Sequence, residues 1–489
     1  MAKRKDSSKR PQAKHKPQSR SSQHDKRKRL DIPNPRRKKT VKAKVPLTGK
    51  MADLVTSMAS MLDARVAFRL SIIMAGMMLA DDRRVAASWF MAAGVQDDWD
   101  RFYDCLISVG RRTRFLALPL LIAVVRKFTP GPDGHMIVAV DDSPTQRYGR
   151  HVEGAGVHHN PTAGPADGEW MYGHNWVSLC FLATHPLWGV IALPLRSLLY
   201  VREKDVPALE EKYGWKFRTK LEMAVNLVTW FLNSVRSLGI ECKIWLVTDG
   251  AYAGRPVLKP LTDLGVVVFS RLRKDAVLFD LPPAERAPGK RGTNRIYGFH
   301  RMSLAKLAAR ADGWESMTYQ CRGSMVTREY KTFLATSRLV SGVIRVVIVR
   351  FDDGGWAAYF CTDAQVDVRD ILETVAARWA IEEHFHDVKE IWGAGQQQVR
   401  NIWSNIGCWH LNQWMYTLVE LCSWDIAKPK LTDRSNRPWD NPDRRPSHSD
   451  RRSTITREML GKQFLATLPR TLNLRKFRTL INDVISVCI

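Results

Sequence analysis

The sequence RWAIEEHFHDVK, at residues 378–389, mixes charged and aromatic side chains and contains neither glycine nor proline, which predicts a helix. Each residue turns a helix by about 100°, so four polar side chains share a sector of about 80°: Arg378, Glu382, His386 and Lys389. Such a face suits phosphate chemistry, with the carboxylate on a divalent metal and the cations on phosphate oxygens. The alternative is a solvated face of i,i+4 ion pairs, but the interleaved Trp379 and Phe385 indicate burial, where charge is costly.

The composition favours a polyanionic partner. The 489 residues carry a formal net charge of +27, and residues 1–50 alone hold 19 Lys and Arg against 3 Asp. That balance fits nucleic acid or an anionic membrane. The most apolar run, residues 70–80, is too short to span a bilayer, and the basic N-terminus lacks the apolar core of a secretory signal. We therefore expect nucleic acid and no membrane. Eight scattered cysteines predict reduced thiols and a cytosolic protein.

The length allows about three domains of ~150 residues each, and changes in composition predict seven segments. Residues 1–50 should be a disordered basic tail, which is either a DNA-binding or RNA-binding arm or a pair of import signals. Residues 51–130 predict a helical DNA-binding region, although a purely structural helical bundle fits equally well. The remaining segments are a first core part at 131–275, a β-rich insertion at 276–366, a second core part at 367–425, a linker or exposed loop at 426–453, and a C-terminal helical segment at 454–489.

Carboxylates follow two predicted strands of the core. The run at residues 136–140 leads into Asp141 and Asp142, and the run at residues 242–247 leads into Asp249. In a β-β-β-α-β-α-β order the first and fourth strands are neighbours, and the helix with Glu382 packs across them. These carboxylates could then hold two Mg²⁺ or Mn²⁺ ions for phosphoryl transfer. The alternative for each Asp is an Asx-type turn, and strand alternation alone leaves Asp141 and Asp142 both open as the first ligand.

The order Asp, Asp, Glu on a ribonuclease-H-like core resembles the DDE transposases of bacterial insertion sequences. The signature of the insertion-sequence-four-like group is Tyr, two residues, Arg, three residues, Glu, six residues, Lys. Arg378, Glu382 and Lys389 match that spacing, and Val375 departs from it at the Tyr position. The resemblance covers residues 85–425. It implies an α/β fold with a ribonuclease-H-like mixed sheet flanked by helices, a β-rich insertion and a helical N-terminal region.

The resemblance also implies a function. Asp141, favoured over Asp142 by the Asp-x-Ser pattern of the family, would join Asp249 and Glu382 as catalytic metal ligands with two Mg²⁺ or Mn²⁺ ions. The enzyme would cleave double-stranded DNA at the element ends and transfer the 3′-hydroxyl into target DNA, as a homodimer in the cytoplasm at the nucleoid. The alternatives are a nuclease on the same core that does not join strands, and a non-catalytic DNA-binding relative.

Several cationic or polar side chains are candidate DNA contacts. The resemblance implies that Arg378 and Lys389 hold phosphates of the element end, and His386 could do so too, shuttle a proton or be structural. The loop after the first strand adds Arg147 and Tyr148, with ordinary loop polarity as the alternative. After a later core strand come Arg271 and Arg273, which could line a DNA channel.

Overall fold

The computed structural model describes residues 44–467, except 82, 131–133, 161–167, 284–292, 433–438 and 442, together with residue 484. Most of the predicted basic tail, residues 1–43, and most of the stretch after residue 467 lie outside the described residues. The described part contains one continuous sheet of twelve strands with helices on both faces, which confirms the predicted α/β class.

Five helices form the N-terminal region, as the apolar periodicity predicted: α1 (Gly49–Ala59), α2 (Ala64–Leu79), α3 (Ala86–Ala93), α4 (Trp99–Arg111) and α5 (Thr113–Lys127). Asp63 caps the start of α2 by accepting from the backbone N–H groups of Arg65 and Val66. The bundle packs on the core through α4, where a Cβ at Gly110 would lie 1.8 Å from the carbonyl oxygen of Trp403. A larger residue at Gly110 would therefore push the two helices apart.

The core contains the predicted order with one short strand, β2, and one short helix, α6, in addition: β1 (His135–Gln146), β2 (Gly156–His159), β3 (Trp170–His185), β4 (Gly189–Tyr200), α6 (Val206–Tyr213), α7 (Lys220–Ser237), β5 (Lys243–Thr248), α8 (Arg255–Asp263) and β6 (Val267–Leu272). The sheet order is β4-β3-β1-β5-β6, in which β3 and β4 are antiparallel to their neighbours and β5 and β6 run parallel to β1. This is the ribonuclease-H-like arrangement that the sequence predicted.

Strand β1 is longer than its apolar run indicated. It continues past Asp141 and Asp142 to Gln146, because β3 pairs with it as far as Gly173. The carboxylates therefore lie within the strand instead of at its end. Pro194 lies in β4, which pairs only with β3 among the described strands, and the register shifts beside this proline, where a missing N–H is tolerated.

The segment between β6 and the last core helices is β-rich, as predicted. It contains β7 (Leu278–Phe279), β8 (Arg301–Met302), α9 (Leu304–Ala309), β9 (Glu315–Cys321), β10 (Ser324–Ser337), β11 (Gly342–Arg350) and β12 (Trp356–Cys361). Strand β12 pairs antiparallel with β6. The insertion strands thereby extend the core sheet in the order β6-β12-β11-β10-β7-β8.

The chain then forms α10 (Val368–Ala377), α11 (Trp379–Glu390), α12 (Ile402–Ser423), α13 (Lys428–Leu431) and α14 (His448–Thr467). Helix α14 begins inside the stretch predicted as a linker, because the buried carboxylate of Glu420 binds His448 at 2.6 Å and Arg451 at 2.7 Å. Trp409 and Trp414 on α12 are buried, as expected for core residues. None of the described helices has the length and apolar character needed to cross a membrane.

Candidate active site

Arg378 lies where α10 meets α11 and joins two carboxylates from distant parts of the chain. Its Nη1 donates to Asp141 Oδ2 at 2.9 Å and its Nη2 donates to Glu382 Oε1 at 2.6 Å. The Asp141 side chain is 17% exposed and the Arg378 side chain 22%. Charge-assisted bonds of a guanidinium fork are strong when water is largely excluded. The predicted helix face is therefore bound to β1 through its arginine.

The side chains of β1 alternate between the two faces of the sheet, and this separates the two candidate aspartates. Asp141 points toward α11, as its bond to Arg378 shows. Asp142 points the other way, where its carboxylate accepts from Lys220 Nζ at 2.6 Å and from Tyr252 Oη at 2.8 Å. Asp141 is therefore the aspartate that shares a face with Glu382.

Asp249 directly follows β5, whose last residue, Thr248, pairs with Val140 of the parallel strand β1. The register position next to Asp141 therefore belongs to Asp249. The negative charge of Asp249 contributes to raising the pKa of both Asp141 and Arg378, so it acts on the same site. The fold thus brings the three predicted carboxylates to one neighbourhood.

The pKa values of Asp141 and Arg378 are shifted from their ordinary values. Burial raises the pKa of Asp141 to about 7, against the pull of the Arg378 charge, and the charges of Asp142 and Asp249 raise it further. Burial alone would lower the pKa of Arg378, but the carboxylates of Asp141 and Glu382 outweigh burial and raise it. Burial therefore outweighs the attraction of Arg378 for this carboxylate, and such perturbation is typical of functional sites.

The carboxylate oxygens are of the type that binds a divalent cation, but the carboxylates are not arranged around a metal position. Oxygen ligands are those that Mg²⁺ and Mn²⁺ prefer. Among the described residues, however, no three His, Cys, Asp or Glu side chains are already grouped to hold a metal ion. The guanidinium of Arg378 lies between Asp141 and Glu382 and supplies the positive charge there. Metal binding to both carboxylates requires Arg378 to release at least one of them.

One family model matches part of the chain. Residues 225–418 match the family model described as the transposase DDE domain. This part of the chain is therefore similar to that domain. The matched residues include Asp249 and Glu382, whereas Asp141 on β1 lies before them, so its assignment depends on the geometry above. No curated protein sequence matches the chain.

One solved structure with similarity to the chain is described as the piggyBac transposase synaptic complex with hairpin DNA, determined by cryo-EM. The two chains are 10% identical, the alignment covers 90% of this chain and 78% of that chain, and the TM-score is 0.34. A likeness at that level carries no conclusion about this chain, whose fold is established by its own strand order.

Other residues of the predicted helix face differ in their surroundings. His386 is exposed and lies 3.6 Å from Asp387, and with Glu382 it lines a groove of about 620 Å³. Lys389 is half-buried and forms no hydrogen bond or ion pair within the described part of the chain. Burial lowers the pKa of Lys389, although Glu390 partly offsets this. A half-buried amine without a partner among the described residues can bind an anion.

The remaining candidate DNA contacts separate into surface and interior residues. Tyr148 is 87% exposed, and Arg271 and Arg273 are exposed beside a second groove of about 300 Å³. Arg147, in contrast, is 7% exposed and donates to His174 Nδ1 and to the carbonyl oxygens of Gly395 and Gln397. Its guanidinium holds the loop 393–400, so Arg147 has fewer free donors for a DNA phosphate than the exposed candidates.

The sequence analysis missed a set of residues around the site. Tyr359 on β12 pairs with Arg271 on β6. Burial raises the pKa of Tyr359, and the charges of Arg271, Arg378 and Arg322 lower it, so three cations surround this phenol. Arg322 also lies over the ring of Trp379 at 3.8 Å. No local motif marks Tyr359 or Arg322, because only the pairing of the insertion with β6 brings them to the site.

Proposed function

We propose that this protein is a DNA transposase that cleaves double-stranded DNA at the ends of a mobile element and joins the freed 3′-hydroxyl to target DNA. The observation that carries the proposal is the bridge from Arg378 to Asp141 and Glu382, with Asp249 acting on the same groups. It lies in a chain of which residues 225–418 match the transposase DDE domain model. We also propose that it belongs to the insertion-sequence-four-like group, because the spacing of Arg378, Glu382 and Lys389 matches the signature of that group.

Asp141, Asp249 and Glu382 would hold the divalent cations, as Mg²⁺ or Mn²⁺. When bound, such ions activate the attacking water or hydroxyl and stabilise the leaving oxygen of an in-line phosphoryl transfer. The raised pKa of Asp141 supports this role, because a carboxyl group short of positive charge gains most from a cation.

The cationic residues would position the DNA backbone. Arg378 has a guanidinium fork that can pass from a carboxylate to two phosphate oxygens, and it is the cation nearest to the carboxylates. Arg271 and Arg322 share its side of the sheet around Tyr359. Lys389 offers an unpaired amine, and Tyr148, Arg273 and His386 are further exposed contacts. Phosphates held at this rim would present the scissile bond to the carboxylates.

Asp142 would position the second aspartate instead of binding metal. Its carboxylate is held by Lys220 on α7 and by Tyr252, and the backbone N–H of Tyr252 donates to the carbonyl of Asp249 at 3.0 Å. This chain of bonds joins the turn after β5 to β1. Asp249 is thereby kept beside Asp141.

The test is a cleavage and joining reaction on DNA that contains the gene together with its flanking sequence, in Mg²⁺ or Mn²⁺. The full-length protein should release element ends with 3′-hydroxyl groups and give products joined to a second plasmid. Asp249→Asn and Glu382→Gln should abolish both products and retain DNA binding. Crosslinking in the same reactions tests the proposed homodimer on DNA.

Each outcome distinguishes the alternatives. Cleavage that never yields joined products would leave a nuclease on the same core. If neither metal supports cleavage by a wild-type protein that binds the element ends, the chain is a non-catalytic DNA-binding relative. If Asp249→Asn cleaves as well as wild type, the proposed metal site is wrong.

A further inference from the structure

A half-buried arginine, Arg196, lies on the face of the sheet opposite the candidate active site. Asp141 pairs with Ser178, whose hydroxyl bonds to that of Ser197 on the same face. The neighbouring Arg196 therefore points to the other face, where its guanidinium lies 5.4 Å from the ring centroid of Trp230 on α7. The Nε of Arg196 is buried and has no hydrogen-bond partner among the described residues. A buried, unpaired cation is unfavourable unless an anion compensates it.

The groups that surround Arg196 are themselves cations. Helices α5 and α7 both pack on β4; α5 carries Arg114 in its first turn, and Arg218 directly precedes the cap of α7. Burial, together with the charges of Arg114 and Arg218, lowers the pKa of Arg196 to about 10. Arg111 and Arg112, at the junction of α4 and α5, add two more exposed guanidinium groups.

Among the described residues no carboxylate pairs with this cluster. No side chain of these five arginines forms an ion pair or a hydrogen bond there. The carboxylate of Glu222 acts electrostatically on Arg218, but it caps α7 by accepting from the Thr219 N–H at 2.8 Å. The neighbouring lysines are different: Lys216 pairs with Glu210, and Lys220 pairs with Asp142. The neighbouring lysines therefore have carboxylate partners, and the arginines of the cluster have none among the described residues.

We propose that this arginine cluster (Arg111, Arg112, Arg114, Arg196 and Arg218) is a second DNA-binding surface, which holds backbone phosphates of duplex DNA on the side of the sheet away from Asp141 and Glu382. Guanidinium forks match phosphate oxygens in pairs. Contacts of this kind position a duplex without reading its sequence. The inference rests on the proposed function, since it takes DNA to be the ligand of the chain, and it adds a site beyond the catalytic face.

The experiment compares two triple variants of the full-length protein. The cluster variant is Arg112→Gln/Arg114→Gln/Arg218→Gln, and the control is Lys306→Gln/Arg310→Gln/Arg369→Gln. Both remove three exposed cations, and the control leaves the cluster and the active site untouched. Affinity for a duplex is measured against salt concentration. The logarithm of the binding constant falls linearly with the logarithm of the salt concentration, and each lost phosphate contact makes this slope shallower by about 0.9. The slope of the cluster variant should therefore be shallower than that of wild type by about 2.7. The slope of the control should be almost unchanged.

The outcomes separate this inference from the proposed function. If wild type itself shows no salt-dependent binding to duplex DNA, the proposed function fails and the cluster proposal with it. If wild type binds and both triple variants keep its slope, the cluster proposal alone is overturned. Thermal unfolding checks that the variants are folded; should the triple variant unfold, the single changes Arg114→Gln and Arg218→Gln should each reduce the slope by about 0.9.

Chemical modification gives a second readout that needs no change to the cluster. In Asp141→Asn/Glu382→Gln protein, a dicarbonyl reagent labels exposed arginines, and peptide mass spectrometry reports the sites. Duplex DNA should protect Arg114 and Arg218 from labelling and leave Arg310 and Arg369 reactive. Equal labelling of Arg114 and Arg218 with and without DNA would overturn the proposal.

Discussion

Replacing Asp141 with Asn should stabilise the metal-free protein at neutral pH while it removes catalysis. Burial raises the pKa of Asp141 from 3.8 to about 7. The folded state therefore keeps a proton that the unfolded chain has already lost, so wild-type stability falls as pH rises between these values and is constant above the higher one. At ~1.36 kcal/mol for each pKa unit, the loss attributable to Asp141 is roughly 4 kcal/mol. Asn cannot ionise and escapes this loss.

The assay is urea unfolding without divalent metal across the range from about pH 4 to about pH 8. The difference in free energy of unfolding, Asp141→Asn minus wild type, should rise by roughly 4 kcal/mol across that range. Asp142→Asn is the matched control, and it should destabilise because Asn removes the negative charge and one of the two acceptor oxygens that Lys220 and Tyr252 use. Added Mg²⁺ should narrow the difference by binding wild type only. A difference that does not change with pH would refute the argument from burial.

Three further predictions test the surroundings of the site. Arg378→Gln removes the cation shared by Asp141 and Glu382, so the pKa of Asp141 should rise by about one to three. The lowest pH at which the protein cleaves DNA should rise by the same amount. An unchanged pH profile of cleavage would contradict the bridge from Arg378 to the two carboxylates. Tyr252→Phe should lower the free energy of unfolding by about 1.5–3 kcal/mol and slow cleavage, because Asp249 is held less firmly. The control is Tyr330→Phe, which loses a similar hydrogen bond to Glu315 in the insertion. This control should leave the metal dependence of cleavage unchanged. Glu420→Gln leaves Arg451 buried without its counter-charge and should cost about 3–5 kcal/mol, with early hydrogen exchange across α14; wild-type stability in urea would show that the buried pair is not needed.

The local sequence was sufficient for most of the core elements. Apolar runs predicted β1, β5 and β6, and apolar periodicity predicted α7 and α12, because each pattern reports which face of one element is buried. The ion pair between Arg378 and Glu382 is the alternative that the sequence left open for this helix face, since residues four apart on a helix are neighbours. The strand order followed from short connections between consecutive elements.

The sequence by itself therefore determined the ribonuclease-H-like core, the β-rich insertion and the carboxylates Asp249 and Glu382. Only the tertiary structure decided which of Asp141 and Asp142 faces α11, because a strand presents neighbours to opposite faces and the sequence does not say which face is covered by which helix. It also buried Arg147, brought Arg322 and Tyr359 to the site through the pairing of β12 with β6, and gathered Arg114, Arg196 and Arg218 from separate elements. These contacts join residues far apart in the chain, and their partners are selected by packing of the whole sheet, which no local pattern records.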